Sequence, residues 1–453
     1  MQPNDAIDRY IDNHLDASIA ELTRLCAQPS VSAQNWGLQE CASLVGDMLS
    51  QREFKVDIIP TAGAPVVYAE RQGASAKTLL FYNHYDVQPA EPLNLWETPP
   101  FEPSRRDGKL YGRGVNDDKG HFTSRLYALD ALLAENENLP CNIKFILEGE
   151  EEISSPHLHE FMKEHYQLLK SDACIWESGG VDFHDAPQQA LGMRGICYVE
   201  LSVKTANQDV HSGLGGSIFP NAAWRLIWAL NTLKDQDENI LIPGFYDRVK
   251  APNAQQVALL SALPDPAEEY KKRYGIQHFL KGMQGGLEFR QAAVFEPTCT
   301  ICGLTSGYQG AGTKTVLPAR ASAKIDFRLV PDQTPEEVFD LLTAHLERQG
   351  FNDIKVQLLG GGRPAVTDPD DPFVKLVIDT ALDVYDQPMV VEPMIGGSGP
   401  NAIFKQYLGV PIVSAGIGHP GSQAHAPNEN IRLDLYLKGT KHVAHIIKAF
   451  SES

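Results

Sequence analysis

Residues 78–86 have the sequence TLLFYNHYD, in which an apolar run of strand length ends directly in His84 and Asp86. Three other apolar runs end in acidic or histidine side chains in the same way: IKFIL (143–147) before EGEEE (148–152), ACIW (173–176) before Glu177, and VPIVSAGIG (410–418) before His419 and then His425. Helical patterns separate several of these runs. The sequence therefore predicts an α/β fold with a mixed, mostly parallel sheet flanked by helices.

The pattern of the sequence changes after Gly192. Before it, apolar periodicity predicts helices over residues 5–27, 37–52, 122–133 and 157–169. After it come a half-buried strand (195–205), a helix (217–233), a polar stretch with several prolines (235–300), and a strand–helix–strand pattern (321–359). We therefore expect a larger domain in two parts, residues 1–192 and 364–453, with a smaller α+β domain, residues 193–363, inserted into it.

Composition excludes several classes of protein. The chain has 453 residues, 43% of them hydrophobic and 21% charged, which is typical of a globular protein with a large core and not of a collagen or a disordered tail. Its 39 basic and 58 acidic residues give a net charge of 39 − 58 = −19, so nucleic acid is not an expected partner. Sparse cysteines, an acidic start and the lack of a long apolar run predict a cytoplasmic protein without a membrane partner.

The polar groups at the strand ends predict a metal site. In open α/β sheets, ligands bind outside the carboxyl ends of the strands. His84 and Asp86 are two residues apart in extended chain and point to the same side, where a carboxylate can fix the imidazole ring. The four carboxylates of residues 148–152 repel one another, and a bound dication would relieve this repulsion. A solvated acidic face is the ordinary alternative.

A glycine-bounded loop, GRGVNDDKG (112–120), adds Asp117 and Asp118 just before a helix. One carboxylate has two oxygens and can bridge two metal ions ~3.5–4 Å apart. Two histidines and three acids from separate segments would supply two metals with a bridge and leave room for water. Such a ligand set suits Zn²⁺ and also Mn²⁺ or Co²⁺.

Other templates fit less well. In HEFMKEH (159–165), Lys163 occupies the second histidine position of a zinc-protease helix, and the sequence around Ser398 does not form a nucleophile elbow. The loop GYQGAGTKT (307–315) nearly matches a phosphate-binding loop, so a nucleotide-binding protein is one rival class. A non-catalytic, acidic cation-binding protein is another. The single Cys299-x-x-Cys302 pair is expected to lie in a strand.

Six strings resemble, in the same order, a family of dinuclear-zinc peptidases and deacylases: NHYDVQP (83–89), GRGVNDDKG (112–120), EGEEEISS (148–155), DVHSGLGG (209–216), GTKTVLP (312–318) and QAHAPNE (423–429). This family includes carnosine and cytosolic nonspecific dipeptidases, glutamate carboxypeptidase, succinyl-diaminopimelate desuccinylase and acetylornithine deacetylase. The resemblance covers nearly the whole chain and is closest to the dipeptidase branch. It implies a zinc-peptidase catalytic domain with an inserted lid and dimerisation domain.

The resemblance also implies a role for each matching residue. The implied metal ligands are His84 and Glu177 on one ion, Glu152 and His425 on the other, and Asp117 as the bridge. The implied catalytic residues are Asp86, which orients His84, and Glu151, the general base. The implied substrate-binding residues are Thr315, Arg328, Ser398 near the substrate carboxylate, and His211, which reaches the site of the partner subunit.

The implied activity is hydrolysis of a peptide bond in dipeptides or similar small substrates with a C-terminal carboxylate. Water activated between two divalent metal ions would be the nucleophile, with Glu151 as general base. An N-acyl-amino-acid deacylase with the same machinery is the alternative. Glu177 departs from the dipeptidases, which carry Asp there, and agrees with the carboxypeptidase and deacylase branches. A homodimer through the inserted domain is also implied by the resemblance.

Overall fold

The structure, a computed structural model, describes residues 5–453. The helices in this part of the chain are α1 Asp5–Ala27, α2 Leu38–Ser50, α3 Lys119–Glu135, α4 Leu158–His165, α5 Ser212–Gly215, α6 Ala222–Leu230, α7 Ala254–Ala262, α8 Ala267–Tyr274, α9 Gly286–Phe295, α10 Pro335–Arg348, α11 Pro372–Ala381, α12 Asn401–Leu408 and α13 Leu433–Glu452. The strands are β1 Lys55–Ile59, β2 Val66–Arg71, β3 Ser75–His84, β4 Ser104–Arg106, β5 Lys109–Tyr111, β6 Cys141–Glu148, β7 Ala173–Trp176, β8 Gly180–Val181, β9 Pro187–Ala190, β10 Gly192–Met193, β11 Gly195–Lys204, β12 Val210–His211, β13 Thr300–Ser306, β14 Val316–Leu317, β15 Arg320–Leu329, β16 Ile354–Gly362, β17 Ala365–Val366, β18 Val390–Glu392, β19 Ile412–Ser414 and β20 Asn430–Arg432.

The chain forms two compact units. The first contains residues 5–192, Thr367–Pro393 and Ile403–Ser453, and the second contains Met193–Val366 and Met394–Ala402. Residues 364–366 and 394–402 were predicted to belong to the larger domain, but the structure groups both segments with the second unit. The reason is a small apolar core of the second unit, in which Met394 is buried with Leu260, Val294 and Phe295. Helices α7, α8 and α9 lie in the 235–300 stretch, which sequence analysis left without elements.

The first unit contains a six-stranded mixed sheet with the order β1-β2-β6-β3-β7-β19. Strands β6, β3, β7 and β19 run parallel, and β1 and β2 are antiparallel additions at one edge. Helices α4 and α12 cover one face through residues such as Phe161 and Phe404, and α3 and α13 contact β3 on the other. The predicted fold class is confirmed. Because four neighbouring strands are parallel, their carboxyl ends lie at one edge of the sheet.

The second unit contains a four-stranded antiparallel sheet with the order β13-β15-β11-β16. Alternate residues of β11 are buried, and α6 and α10 pack against the sheet, which confirms the predicted α+β character. The helix predicted over 217–233 begins later, at Ala222. Asn221 caps it by accepting hydrogen bonds from the backbone N–H groups of Ala223 and Trp224.

Among residues 5–453, no helix combines the length and the apolar composition that crossing a lipid bilayer requires.

Candidate metal centre and substrate-contact residues

Most of the predicted metal and catalytic residues of the first unit lie at the carboxyl ends of strands, whereas Asp117 lies in the loop before α3. His84 is the last residue of β3, and Glu177 directly follows β7. Glu151 and Glu152 lie in a short 3₁₀ helix that follows β6. His425 lies in the loop between β19 and β20, and its backbone has a positive φ of 61°. Four segments that are distant in sequence therefore meet at one edge of the sheet.

The two carboxylate oxygens of Asp117 face two different histidines. Oδ1 lies 3.0 Å from Nε2 of His84, and Oδ2 lies 2.9 Å from Nε2 of His425. The same Nε2 of His425 lies 3.2 Å from Oε2 of Glu152. One carboxylate thus joins two sets of groups that can bind a metal, which is the arrangement that a bridging ligand requires.

Two groups of side chains could each hold a metal ion. One group is His84, Asp117 and Glu152, the other is His84, Asp118 and Glu177, and in each the ligand atoms lie within 4.8 Å of one another. Oδ1 of Asp118 and Oε2 of Glu177 are buried without a hydrogen-bond partner among the described residues. Buried oxygens without partners are costly, so they fit a cation well. Imidazole and carboxylate ligands suit a divalent transition metal.

Asp86 organises two parts of the site at once. Nδ1 of His84 lies 3.3 Å from Oδ1 of Asp86 and 3.0 Å from its backbone oxygen, and this orients the imidazole so that Nε2 faces Asp117. The backbone N–H groups of Glu151 and Glu152 donate to the two carboxylate oxygens of Asp86, at 3.2 and 3.1 Å. Asp86 is fully buried. The carboxylate of Asp86 therefore fixes both the imidazole of His84 and the backbone of Glu151 and Glu152.

The pKa values of the site reflect several acidic side chains that are buried close to one another. Burial, followed by the charge of Glu151, raises the pKa of Glu177 well above its ordinary value. Burial also raises the pKa of Glu151 to about 7. Asp117 behaves in the opposite way, because hydrogen bonds from His425 and His84 outweigh its burial and lower its pKa. The hydrogen bond to Asp117 raises the pKa of His425 to about 10. The site as a whole favours added positive charge.

Sequence reasoning missed several residues that support this site. Oε1 of Glu429 accepts hydrogen bonds from the backbone N–H groups of Asn116 and Asp117, each at 2.9 Å, and Oε2 accepts from Gly114 and from the Arg113 guanidinium. Glu429 thereby holds the loop that carries Asp117. It belongs to the string QAHAPNE, but a glutamate four residues after a histidine gives no sequence signal for such a role.

Gln88 and Asp118 were also not assigned. The side-chain amide of Gln88 donates to Oε2 of Glu152 at 2.8 Å, and this is the oxygen that lies beside Nε2 of His425. Asp118 belongs to the group with His84 and Glu177, whereas sequence analysis assigned only its neighbour Asp117. The acidic pair was visible in the sequence, but adjacent side chains cannot be assigned to separate contacts without the backbone path of the loop.

The four predicted substrate-binding residues lie in the second unit and form two pairs. Oγ1 of Thr315 lies 3.3 Å from Nε2 of His211, and both residues are exposed. Nη1 of Arg328 donates to Oγ of Ser398 at 2.9 Å, and Oγ of Ser398 donates in turn to the backbone oxygen of Gly195 at 3.2 Å. Thr315 of the first pair lines an open groove of about 500 Å³ beside α6.

The rival interpretations of the second unit receive no support. A phosphate-binding loop leads into a helix whose N-terminus faces the phosphates, but residues 307–315 lead into the short strand β14. Cys302 lies exposed in β13, as expected, while Cys299 is buried just before that strand.

Comparison with known proteins agrees with this geometry. The sequence model of Peptidase family M20/M25/M40 matches residues 80–449. A Beta-Ala-His dipeptidase of Rattus norvegicus is 30% identical over 96% of this chain and 92% of its own length. The crystal structure of the M20 family metallo-carboxypeptidase Sso-CP2 from Sulfolobus solfataricus has 37% identity and a TM-score of 0.93, covering 96% of this chain and 99% of the other. Human carnosine dipeptidase 1 has 29% identity and a TM-score of 0.82, covering 99% of each chain. The chain therefore belongs to the M20/M25/M40 family of peptidases and is a metal-dependent hydrolase.

Proposed function

We propose that the protein hydrolyses the peptide bond of dipeptides, or of similar small peptides with a free C-terminal carboxylate, and that it does so with two divalent metal ions. The observation that carries the proposal is the position of Asp117, one of whose oxygens contacts His84 while the other contacts His425. A carboxylate placed in this way can serve two ions at once.

The side chains that would hold the ions are His84, Asp117 and Glu177 for one ion, and Asp117, Glu152 and His425 for the other. Asp118 is a further candidate beside Glu177. Bound divalent cations polarise a carbonyl oxygen and lower the pKa of water. Zn²⁺ is the preferred ion, and Mn²⁺ and Co²⁺ suit the same ligands.

Glu151 is proposed as the general base. It belongs to neither of the two groups of possible metal ligands, although it lies next to Glu152. Its carboxylate would take a proton from water and pass it to the leaving amine. The hydrogen bond from its backbone N–H to Asp86 fixes the point of the chain from which its side chain extends. Asp86 itself is proposed to orient His84.

Arg328 and Ser398 are proposed to bind the substrate carboxylate. A guanidinium binds a carboxylate with two parallel hydrogen bonds, and the hydroxyl of Ser398 is already held beside it. The names of the relatives, dipeptidases and a carboxypeptidase, favour peptide hydrolysis over the deacylase alternative. Glu177 stands where the dipeptidases of the resembled family carry Asp, and because either acid can bind a metal ion, the proposed metal site does not depend on this difference.

A homodimer is proposed to form through the second unit. Trp224 and Trp228 stack on α6 with ring centroids 6.0 Å apart, and each is 55% exposed. The edge strand β13 exposes Ile301 and Leu304. An apolar helix face and an open strand edge can pair with a second copy across a two-fold axis. In such a dimer, His211 is proposed to act on the substrate of the partner subunit, and Thr315 is proposed to contact substrate.

The test begins with purified protein analysed for metal by elemental mass spectrometry. We expect about two divalent ions per chain and loss of activity with a chelator, followed by recovery on adding Zn²⁺, Mn²⁺ or Co²⁺. Dipeptides, longer peptides, and N-acetyl and N-succinyl amino acids are then compared as substrates. Faster turnover of N-acyl amino acids than of peptides would contradict the proposal. A cytoplasmic location and the absence of a nucleic-acid partner stay predictions from composition.

A further inference from the structure

Arg125 is a fully buried arginine in the middle of α3. A buried guanidinium needs hydrogen-bond acceptors around it, because taking the charge out of water is costly. Its acceptors are not on the helix that carries it. Nη1 donates to the backbone oxygen of Tyr82 at 2.7 Å and to Oδ1 of Asn83 at 2.5 Å, and Nη2 donates to the backbone oxygen of Trp176.

The two backbone acceptors lie near the carboxyl ends of two neighbouring strands, β3 and β7. The pairing of β3 with β7 stops at Phe81 and Ile175, so Tyr82 and Trp176 are the first residues beyond it. Arg125 connects their carbonyl oxygens at the point where the two strands no longer pair. The next residue after Trp176 is Glu177, and His84 comes two residues after Tyr82.

The side chain of Asn83 extends the connection to a third segment. Because its Oδ1 accepts from Arg125, its amide nitrogen must point the other way, and it donates to Oδ2 of Asp118 at 2.5 Å. The same Oδ2 accepts from the backbone N–H of His84 at 3.2 Å. Oδ1 of Asp118 is left buried without a partner among the described residues.

We propose that Arg125 is a positioning residue that sets the spacing of His84, Asp118 and Glu177, and that it thereby tunes the metal affinity of this one group. The inference rests on the proposed function, since it presumes that these side chains bind a metal ion. Arg125 touches neither metal nor substrate in this role. It acts through two backbone carbonyls and one amide, and none of these contacts reaches Glu152 or His425. His84 itself contacts the bridging Asp117, so loss of Arg125 should weaken the site of His84 and Glu177 far more than the site of Glu152 and His425.

The experiment titrates metal-free protein with Co²⁺ and follows the visible absorption of the bound ion. Arg125→Met removes all donors at similar length, and Arg125→Lys keeps the charge but cannot reach three acceptors at once. We expect wild type to bind two ions, Arg125→Met to bind one of them about 10- to 100-fold more weakly, and Arg125→Lys to lie between them. Asn83→Ala, which breaks only the connection to Asp118, carries the test if Arg125→Met does not fold.

Two variants that each lack one proposed metal ligand show which of the two metal sites depends on Arg125. In His425→Ala the remaining site contains Glu177, and there Arg125→Met should weaken Co²⁺ binding. In Glu177→Ala the remaining site contains His425, and there Arg125→Met should change Co²⁺ binding far less. Arg52→Met is the matched control, because Arg52 also pairs with α3, through Asp130, but lies outside the site. It should leave both affinities unchanged.

The outcomes separate the inference from the proposed function. If wild type binds fewer than two ions, the proposed dinuclear function is wrong. Wild type can bind two ions while Arg125→Met and Asn83→Ala weaken neither site, weaken both equally or tighten one. In that case the positioning role of Arg125 is wrong, but the proposed function stands.

Discussion

The backbone N–H of Glu151 donates to the same carboxylate oxygen of Asp86 that lies beside the imidazole of His84. The proposed base and a proposed metal ligand are thus held by one buried group. A shift of Asp86 would displace both, so their geometry is coupled although one lies at the end of β3 and the other in the turn after β6. The role of Glu151 can be tested because only its backbone takes part in this contact.

Glu151→Gln should abolish turnover while leaving the metal content unchanged. The amide cannot accept a proton from water, so kcat should fall by about 10²–10⁴-fold. Steady-state kinetics and elemental analysis on the same sample check this. The matched control is Glu150→Gln, because Glu150 pairs with His157 at 2.7 Å and lies in neither group of metal ligands. It should stay within a few-fold of wild type. Full activity in Glu151→Gln would eliminate its role as base.

The sharing of sites between subunits gives a second prediction. His211→Ala and Glu151→Gln should each be inactive alone. In a mixed dimer, one site combines an intact Glu151 with the partner's intact His211, so about half the wild-type activity per dimer should return. Co-expression with two different affinity tags isolates the mixed dimer. A proven mixed dimer without recovered activity would argue that each subunit uses its own His211.

The positions of strands and acids could be predicted because they depend on local pattern. A buried parallel strand is a continuous apolar run, and a polar group directly after it must lie at the sheet edge. For this reason His84 and Glu177 could be located without a structure. Arg125 could not be, because a charged residue in a helix ordinarily faces solvent. Here α3 is buried on nearly all sides, and its acceptors come from strands 42 or more residues away.

The inserted unit gives a second example of contacts between distant segments that could not be predicted from the sequence. Residues 394–402 follow the insertion in sequence by some thirty positions but pack in its core through Met394. A glycine-rich segment such as residues 394–402 has no apolar periodicity from which the elements it packs against could be predicted. Ser398 was named from family resemblance, and only the structure shows that Arg328 holds its hydroxyl. Local sequence patterns therefore do not predict the contacts that distant segments make with one another in the site.

Arg328 should determine the requirement for a free C-terminal carboxylate. Arg328→Met should raise KM for a dipeptide by about 10–100-fold, since a hydrogen bond to a charged group is worth ~1.5–3 kcal/mol. The KM for the same peptide with a C-terminal amide should hardly change, because that substrate lacks the charge. Arg320→Met is the control, since Arg320 lies exposed on the same strand. Equal losses on acid and amide substrates would show that Arg328 does not bind the carboxylate.

His442 should make folding stability depend on pH, independently of the site. It lies buried in α13, with Nε2 3.0 Å from the backbone oxygen of Val377, and burial lowers its pKa to about 4. An unfolded histidine has a pKa of ~6.5, so between pH 6.5 and 4 the unfolded chain binds a proton that the folded chain does not. Stability from this group is complete above pH 6.5 and is lost as pH falls towards 4, by about 2 kcal/mol between pH 7.5 and 5. His442→Gln keeps a donor near Nε2 but does not titrate. Urea unfolding of wild type and variant is measured at pH 7.5 and pH 5. The variant should lose about 2 kcal/mol less of its unfolding free energy than wild type between these two pH values. Identical losses would show that His442 is not the group that titrates.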